Sequence, residues 1–478
     1  MSAPDRSPAP VPPARDLRLA LPTVVLLAAT AATAGARPAA AAAVAVVLAA
    51  VAVAGAVWAV LSGGVGPLDR AALGVLATAC ALAAVGSGLQ AARSHALTAH
   101  PLAAHAGGRA GIEAVVTGFD RPVRGGGVMV PVRLEVTGSG DSARAAELDT
   151  VLLARDGWRG LPPGTRVRAA AQVFEPRSPG EPPALRALTP PRVVGDPGPA
   201  GTVPAAVRER MRRVSDRALG GEAAGLLPSF VLGDEGAVSP ETREEFRASG
   251  LAHLAAVSGA NTTYVVGAVL LAAAGLGAGR RGRLVAAAVA LGGFVAVVGP
   301  EPAVLRAAGT GTIGLAALGA RRTGRPLAAL SAVVLLVTLL DPDTATGAGF
   351  VLSVTATAAL VVAARPASVL LRGRGVPGPA ADVTAVCVIA HLATLPVLLL
   401  AGLGSGPWAL PANLAVAPVV PVVTVLGTAA AALGPVWEGG AVLLARACGP
   451  ALWWLETVAD VAAGLPGSPR GAAPGGGR

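Results

Sequence analysis

The chain contains no lysine; all 38 of its basic residues are arginine. Together with an excess of Ala, Gly and Pro, this reads as base-composition bias. The formal net charge of +10 is therefore ambiguous. Arginine in such a chain can record membrane topology, or attract nucleic acid or anionic lipid. Charge of either sign is scarce. Asp, Glu, Lys and Arg make up 14% of the 478 residues, where a soluble protein carries about a quarter. With 53% hydrophobic residues and a mean hydropathy of +0.63, the chain is excluded from the ordinary soluble classes and reads as a polytopic membrane protein. Cysteine is rare: Cys80, Cys387 and Cys448 all sit in apolar stretches, without the spacing of a disulfide framework or a metal site. Histidine is rare too. His95, His100 and His105 are spaced by five, which does not stack them on one helical face, so they read as a polar linker. Neither a cofactor nor a metal is expected.

What is present divides the chain into blocks. Residues 1–16 are Pro-rich and read as disordered. Three apolar runs over 17–92 are each about twenty residues long, enough to cross a bilayer as a helix. Residues 105–195 alternate short apolar runs with Gly, Pro and Arg. They read as five strands, over 111–120, 127–138, 147–157, 165–176 and 184–195, and suit a small barrel of the OB type. Residues 203–249 start with a basic amphipathic helix carrying Val207, Met211, Val214 and Ala218 on one face. It suits either a membrane interface or docking on the barrel. Short helices with a turn at Gly233-Asp234 follow. Residues 250–467 form the transmembrane core, and 468–478 a disordered tail.

Breaks in the core alternate in charge. Residues 279–283, 321–325 and 365–375 are basic, whereas 299–302, 341–347 and 402–408 are not. This is the positive-inside pattern. It puts the basic loops and the N-terminus in the cytoplasm of a cell-membrane protein with about eleven spans, and residues 105–249 outside. Arg37 and Arg93 are mild exceptions.

The stretch SGLAHLAAVSGANTTY, 249–264, concentrates polar groups at the mouth of the core. Ser258 beside His253, with His391 on a later span, raises an intramembrane serine hydrolase. His253 and Ser258 are five apart, about 140° around a helix, so they do not face one another as a nucleophile and base must. A polar path is the second reading, because polar residues entering a bilayer are costly unless they face protein or water. On a helix, Ser249 and His253 share a face. The third reading is plain capping, with Ser249 capping a helix from Gly250 and with Ser258 and Thr262 bonding back to carbonyls.

LLPSFVLGDEGAVSPETREEFRASGLAHLAAVSG, PAVLRA at 302–307, GFVLSVTATAALV at 349–361 and the segment 392–418 with Asn413 and Pro418 resemble, in order, the signature blocks of the ComEC family of competence channels. Gly233, Asp234, Gly250, Leu251, His253, Leu254, Val257, Ser258 and Gly259 carry the first match. The resemblance implies import of transforming single-stranded DNA across the cytoplasmic membrane, with no enzymatic step in this chain. It implies as partners single-stranded DNA, membrane lipids, a separate DNA receptor, a separate nuclease, a cytoplasmic DNA-translocating ATPase and further copies of the chain. A permease for a smaller polar or anionic solute stays open beside it.

Two departures stand out. Asn261 replaces a histidine usual in the family; it keeps hydrogen bonding but cannot be protonated near neutral pH. The chain also reads as a form lacking the C-terminal metallo-β-lactamase-like domain that many members carry. The expected path or motif residues are Gly250, His253, Ser258, Gly259, Asn261, Arg306, Ser353 and Asn413. The expected DNA entrance uses Arg121, Arg124 and Arg133, with Phe119, Trp158 and Phe174 as a thin stacking platform. Twelve Arg against nine acids between His105 and Gly195 favour phosphate contacts with strong salt dependence.

Overall fold

The computed structural model describes residues 20–34, 36–61, 67–123, 126–138, 144–176, 181–255, 259–298, 308–309, 311–312, 326–400 and 406–469. Residues 1–16 and 470–478, Arg124, Ser258 and Arg306 lie outside them.

Helices α1 (Ala20–Thr33), α2 (Pro38–Leu61) and α3 (Pro67–Thr98) fill the first apolar block. Alpha-helix α3 continues past the expected boundary at 92, so Arg93 and His95 ride on its last turns. It packs closely on α1: a Cβ on Gly86 would stand 2.3 Å from Thr30 Oγ1. Small residues allow such approach where no hydrophobic force drives helices together.

The next block is a barrel of β1 (Arg109–Val116), β2 (Arg121–Pro122), β3 (Val128–Thr137), β4 (Arg144–Ala154), β5 (Arg166–Val173), β6 (Leu185–Ala187) and β7 (Arg192–Gly195). Strand β1 pairs with both β3 and β5, β3 with β4, β4 with β6 and β6 with β5. Five strands therefore close into a ring, with β4–β6 its parallel pair. Alternation builds the interior, since successive side chains point to opposite faces. In β5, Val167, Ala169, Ala171 and Val173 point in, while Arg166 and Arg168 point out. The fifth expected strand is split into β6 and β7 around Pro190-Pro191, where the ladder lacks N–H donors.

Then come α4 (Pro199–Ala218), α5 (Glu222–Leu232), α6 (Pro240–Ala248), α7 (Ala252–Ala255), α8 (Gly259–Gly275), α9 (Arg280–Val298), α10 (Pro326–Leu340), α11 (Pro342–Thr346), α12 (Ala348–Ala359), α13 (Arg365–Gly373), α14 (Gly378–Leu400), α15 (Ala409–Val416), α16 (Val420–Leu433), α17 (Glu438–Ala447) and α18 (Gly449–Gly464). A π turn over Leu360–Ala364 joins α12 to α13; Pro366 has no N–H to continue the regular ladder there.

Among the described residues four helices are long and apolar enough to cross a membrane: Leu73–Thr98, Arg280–Val298, Ala348–Gly373 and Gly378–Leu399. A fifth crossing is available if α15 and α16, bent by 56°, count as one broken span. Shorter apolar helices lie at 20–33, 38–54, 222–232, 261–275 and 326–340.

The main helical core joins Met211 and Val214 of α4, Leu226, Leu227 and Phe230 of α5, and Phe246 of α6 to α15–α18. Phe230 and Phe246 meet edge to face, with ring centroids 6.1 Å apart. The apolar face of α4 is thus spent on this helical core, not on the barrel.

Candidate functional site between the barrel and the helical core

Two glycines set the turns of the motif. Gly233, at φ 68°, ends α5. Gly250, at φ 75°, follows α6 and turns the chain so that Leu251 N donates to Phe246 O at 2.7 Å. A side chain is strained in this left-handed region. The turn corrects two expectations. Ser249 does not cap a helix beginning at Gly250; it is the C-terminal cap of α6, buried, with its hydroxyl donating to Phe246 O at 3.2 Å. Nor do Ser249 and His253 share a helical face, because Gly250 separates α6 from α7.

His253 stands on α7, with its ring within reach of the Gly250 backbone. Asn413 of α15 approaches the same residue, with Nδ2 donating to Gly250 O at 3.5 Å and to Ala409 O at 2.8 Å. His253 and Asn413, 160 positions apart in sequence, thus converge on Gly250.

Gly259 opens α8. Asn261 is buried at 4% exposure, with Nδ2 donating to Phe230 O at 3.0 Å and Oδ1 accepting from Thr424 Oγ1 at 3.5 Å. Phe230 lies in the last turn of α5, where carbonyls lack helical partners. The amide therefore ties α8 to α5 and α16. The Thr262 hydroxyl is buried and has no hydrogen-bond partner among the described residues; Ser258, whose carbonyl it was expected to meet, lies outside them.

Asp234 follows the α5 turn and is 6% exposed. Its carboxylate takes Arg212 Nε at 2.6 Å and Nη2 at 2.7 Å, a bidentate pair that raises the pKa of the Arg212 guanidinium. The other arginines of α4 are engaged too. Arg210 and Arg217 both pair with Glu438 of α17. Arg208 lies 3.6 Å over the Phe119 ring and donates to Val298 O at 2.9 Å. A single side chain so links the barrel to the end of α9. Sequence reasoning missed these partners, which lie 22 to 228 positions apart.

On the barrel, Trp158 requires a correction. It is 2% exposed, packs in the barrel core and donates from Nε1 to Thr189 O at 3.1 Å, so it presents no ring face for stacking. Phe119 and Phe174 are half-buried, and each lies under an arginine, Arg208 and Arg186 respectively. Arg133 forks onto Asp149 at 2.8 and 2.9 Å. Arg166 pairs with Glu135 and Arg168 with Glu113. Arg121 stands on β2, exposed. In the core, Ser353 is half-buried on α12 and its carbonyl accepts the Thr357 hydroxyl at 2.7 Å.

No curated protein and no solved structure matches the chain. A family model described as "Competence protein" matches residues 230–473, more than half of the 478. The match begins at Phe230 in the last turn of α5 and runs through α6–α18; α1–α3, the barrel and α4 lie before it. The competence-protein signature covers the Gly233-Asp234 turn, the Gly250–His253–Asn413 convergence and the apolar helices around them, and the chain belongs to that family, which fits a membrane protein with a role in DNA uptake for competence.

Proposed function

We propose that this chain is the cytoplasmic-membrane channel that passes transforming single-stranded DNA inward. The observation that carries the reading is the convergence of His253 and Asn413 on Gly250, at the place where the outer barrel and α4 hand over to the apolar helices. A polyanion entering a low-dielectric slab needs cations outside and polar groups at the mouth. The barrel supplies the first. Its five strands close first against fourth, which we read as the OB type, a fold that takes oligonucleotides among other ligands. With Trp158 withdrawn into the core, the entrance reduces to Arg121, Arg124 and Arg133 with Phe119 and Phe174. The mouth combines Gly250, His253, Ser258, Gly259 and Asn413. Asn261 holds the frame behind it, and Arg306 and Ser353 belong to the deeper path.

In this reading the N-terminus is cytoplasmic, residues 105–249 are extracytoplasmic and the chain crosses the cell membrane about eleven times. The chain performs no bond-breaking step. A separate receptor delivers DNA, a separate nuclease removes one strand, a cytoplasmic ATPase pulls the other, and copies of the chain associate in the lipid. Deleting the coding sequence and measuring internalisation of labelled DNA tests the proposal. Loss of internalisation with surface DNA binding intact is expected. Wild-type internalisation in the deletion strain refutes it.

A further inference from the structure

The N-terminal helices carry a set of buried polar groups that the proposed function does not use. On α3, inside the apolar stretch Leu73–Thr98, Ser87, Gln90 and Ser94 are 0%, 1% and 0% exposed. Ser87 Oγ, Gln90 Oε1, Ser94 Oγ and Arg93 Nε are all sealed from solvent, with no hydrogen-bond partner among the described residues. A hydroxyl inside a helix can bond back to the carbonyl four residues earlier. Thr30, Thr338 and Thr394 do so, at 2.8, 2.7 and 2.9 Å. Ser87 and Ser94 do not.

The four positions form one cluster. At 100° per residue they fall within an arc of about 120°. Steps of three and four link Gln90 to Ser87, Arg93 and Ser94, which sets neighbouring Cβ atoms about 5–6 Å apart. The arc turns into the protein. Gly86 lies within it, and a Cβ there would collide with Thr30 Oγ1 and Leu26 Cδ1 of α1. Arg93 pairs through Nη2 with Asp343 of α11. Helix α3 packs along α1 and α2 and also meets α10 and α11. The cluster thus lies where the N-terminal helices join the part of the chain that the family model covers.

We infer that Ser87, Gln90, Arg93 and Ser94 hold ordered water sealed between the helices. The donor set selects this ligand. Arg93 Nε–H can only donate, and Gln90 Oε1 can only accept. A cation would be repelled by Arg93 and leave its N–H unmet. An anion would leave Gln90 Oε1 unmet. Water donates and accepts, and the two serine hydroxyls serve in either role. Two hydrogen bonds through one oxygen span about 5–6 Å, the separation of neighbouring side chains on this face. Unmet polar groups are costly where hydrocarbon surrounds a helix, and a buried water with about two to four polar partners relieves them. The water forms a polar seam beside the Arg93–Asp343 pair. The site is independent of the transport reading.

Radiolytic footprinting of the full chain in lipid nanodiscs reads bound water directly, because radicals made from it label side chains that bulk radicals do not reach. The reporters are Leu26 of α1 and Leu97 of α3, at 0% and 8% exposure. Both are expected to be labelled, and Gln90→Leu to lower the labelling severalfold. Ser87→Ala and Ser94→Ala supply a sign. If the hydroxyls hold water, each substitution raises the unfolding equilibrium constant in mixed micelles by about fivefold, the worth of one hydrogen bond. If they are dry, removing an unmet hydroxyl lowers it. Unlabelled Leu26 and Leu97, or serine variants more stable than the parent, overturn the inference. So does an unfolding midpoint that follows the identity of added salt in the parent and not in Gln90→Leu, which assigns the site to an ion. Footprinting of the unsubstituted chain needs no variant, so it decides the matter even where Gln90→Leu fails to fold.

Discussion

Breaking the Arg212–Asp234 pair is the sharpest test of what holds the junction together. Asp234 is nearly sealed at 6% exposure, while the Arg212 side chain is 39% exposed. The pair therefore lies between two known limits. Exposed ion pairs contribute about 0–1 kcal/mol; removing one partner of a fully buried pair costs about 3–5 kcal/mol. The bidentate contact at 2.6 and 2.7 Å argues for the upper part of that interval, and the solvent at Arg212 for the lower. We expect Arg212→Leu to cost about 2 kcal/mol, because a buried carboxylate is left, among the described residues, with only the Gly236 N–H, at 3.3 Å. Asp234→Asn costs less, since a neutral amide still accepts from that N–H. The double variant Arg212→Leu/Asp234→Leu recovers much of the loss, giving a coupling of about 2 kcal/mol in a mutant cycle. Equilibrium unfolding of the purified chain in mixed micelles measures it. A coupling under about 0.5 kcal/mol, the level of a surface pair, refutes the assignment of this motif aspartate to architecture. So does loss of DNA uptake in Asp234→Asn with an unchanged unfolding midpoint, which would give Asp234 a direct part in transport.

Three further outcomes are expected. Asn261→Leu keeps the branching at Cγ but orphans the Phe230 carbonyl, so it costs about 1–2 kcal/mol; the same unfolding assay reads it. Gly250→Ala forces a side chain to φ 75° and costs about 1–2 kcal/mol, visible as a lowered unfolding midpoint with little change in expression at reduced temperature. His100 has its pKa lowered by burial, and its Nδ1 accepts from Leu102 N at 3.2 Å, which only the neutral ring can do. The folded chain thus binds fewer protons than the unfolded chain just below pH 6.5. Stability falls as pH drops through 6.5 toward the lowered folded value, and His100→Asn flattens that slope in unfolding measured between pH 5 and 8.

The sequence revealed these parts unequally, for physical reasons. The barrel was legible because alternation has a period of two and turn residues break it cleanly. Even so, it split at Pro190-Pro191, where chain chemistry overrides pattern. Trp158 misled because it sits in RDGWRG, among glycines and arginines that signal an exposed turn. Burial was decided by its indole reaching Thr189 O across the barrel, a contact 31 positions away. Ser249 misled for a related reason: capping rules assign a serine to the helix it precedes, and only the φ of Gly250 shows that it closes the helix before. Among the described residues four or five crossings meet the length and composition of a span, with five shorter apolar helices beside them, because apolar composition alone does not report where one helix ends and the next begins.

The basic helix is the instructive case. In sequence it reads either as lying in a membrane interface or as docking on the barrel. In the structure Arg208, Arg210, Arg212 and Arg217 all meet partners within the chain. Their charge is thereby used to join three bodies: the barrel through Phe119, the α5 turn through Asp234, and the C-terminal helices through Glu438. A strand of phosphates arriving at this helix would have to compete with those contacts, the Asp234 one being nearly sealed. The helix is better understood as the joint between the barrel and the helical core. On the channel reading proposed above, the cations that meet DNA first must then be sought on the outer surface of the barrel. Arg133, Arg166 and Arg168 already carry carboxylates there, at side-chain exposures of 49% to 60%. Such exposed pairs exchange at little cost, so phosphate can displace Asp149 from Arg133 far more readily than Asp234 from Arg212. Salt sensitivity of DNA binding should therefore track Arg133→Gln and be indifferent to Arg212→Gln once folding is matched. A salt slope reduced by Arg212→Gln and untouched by Arg133→Gln would reverse the order in which the strand meets this protein.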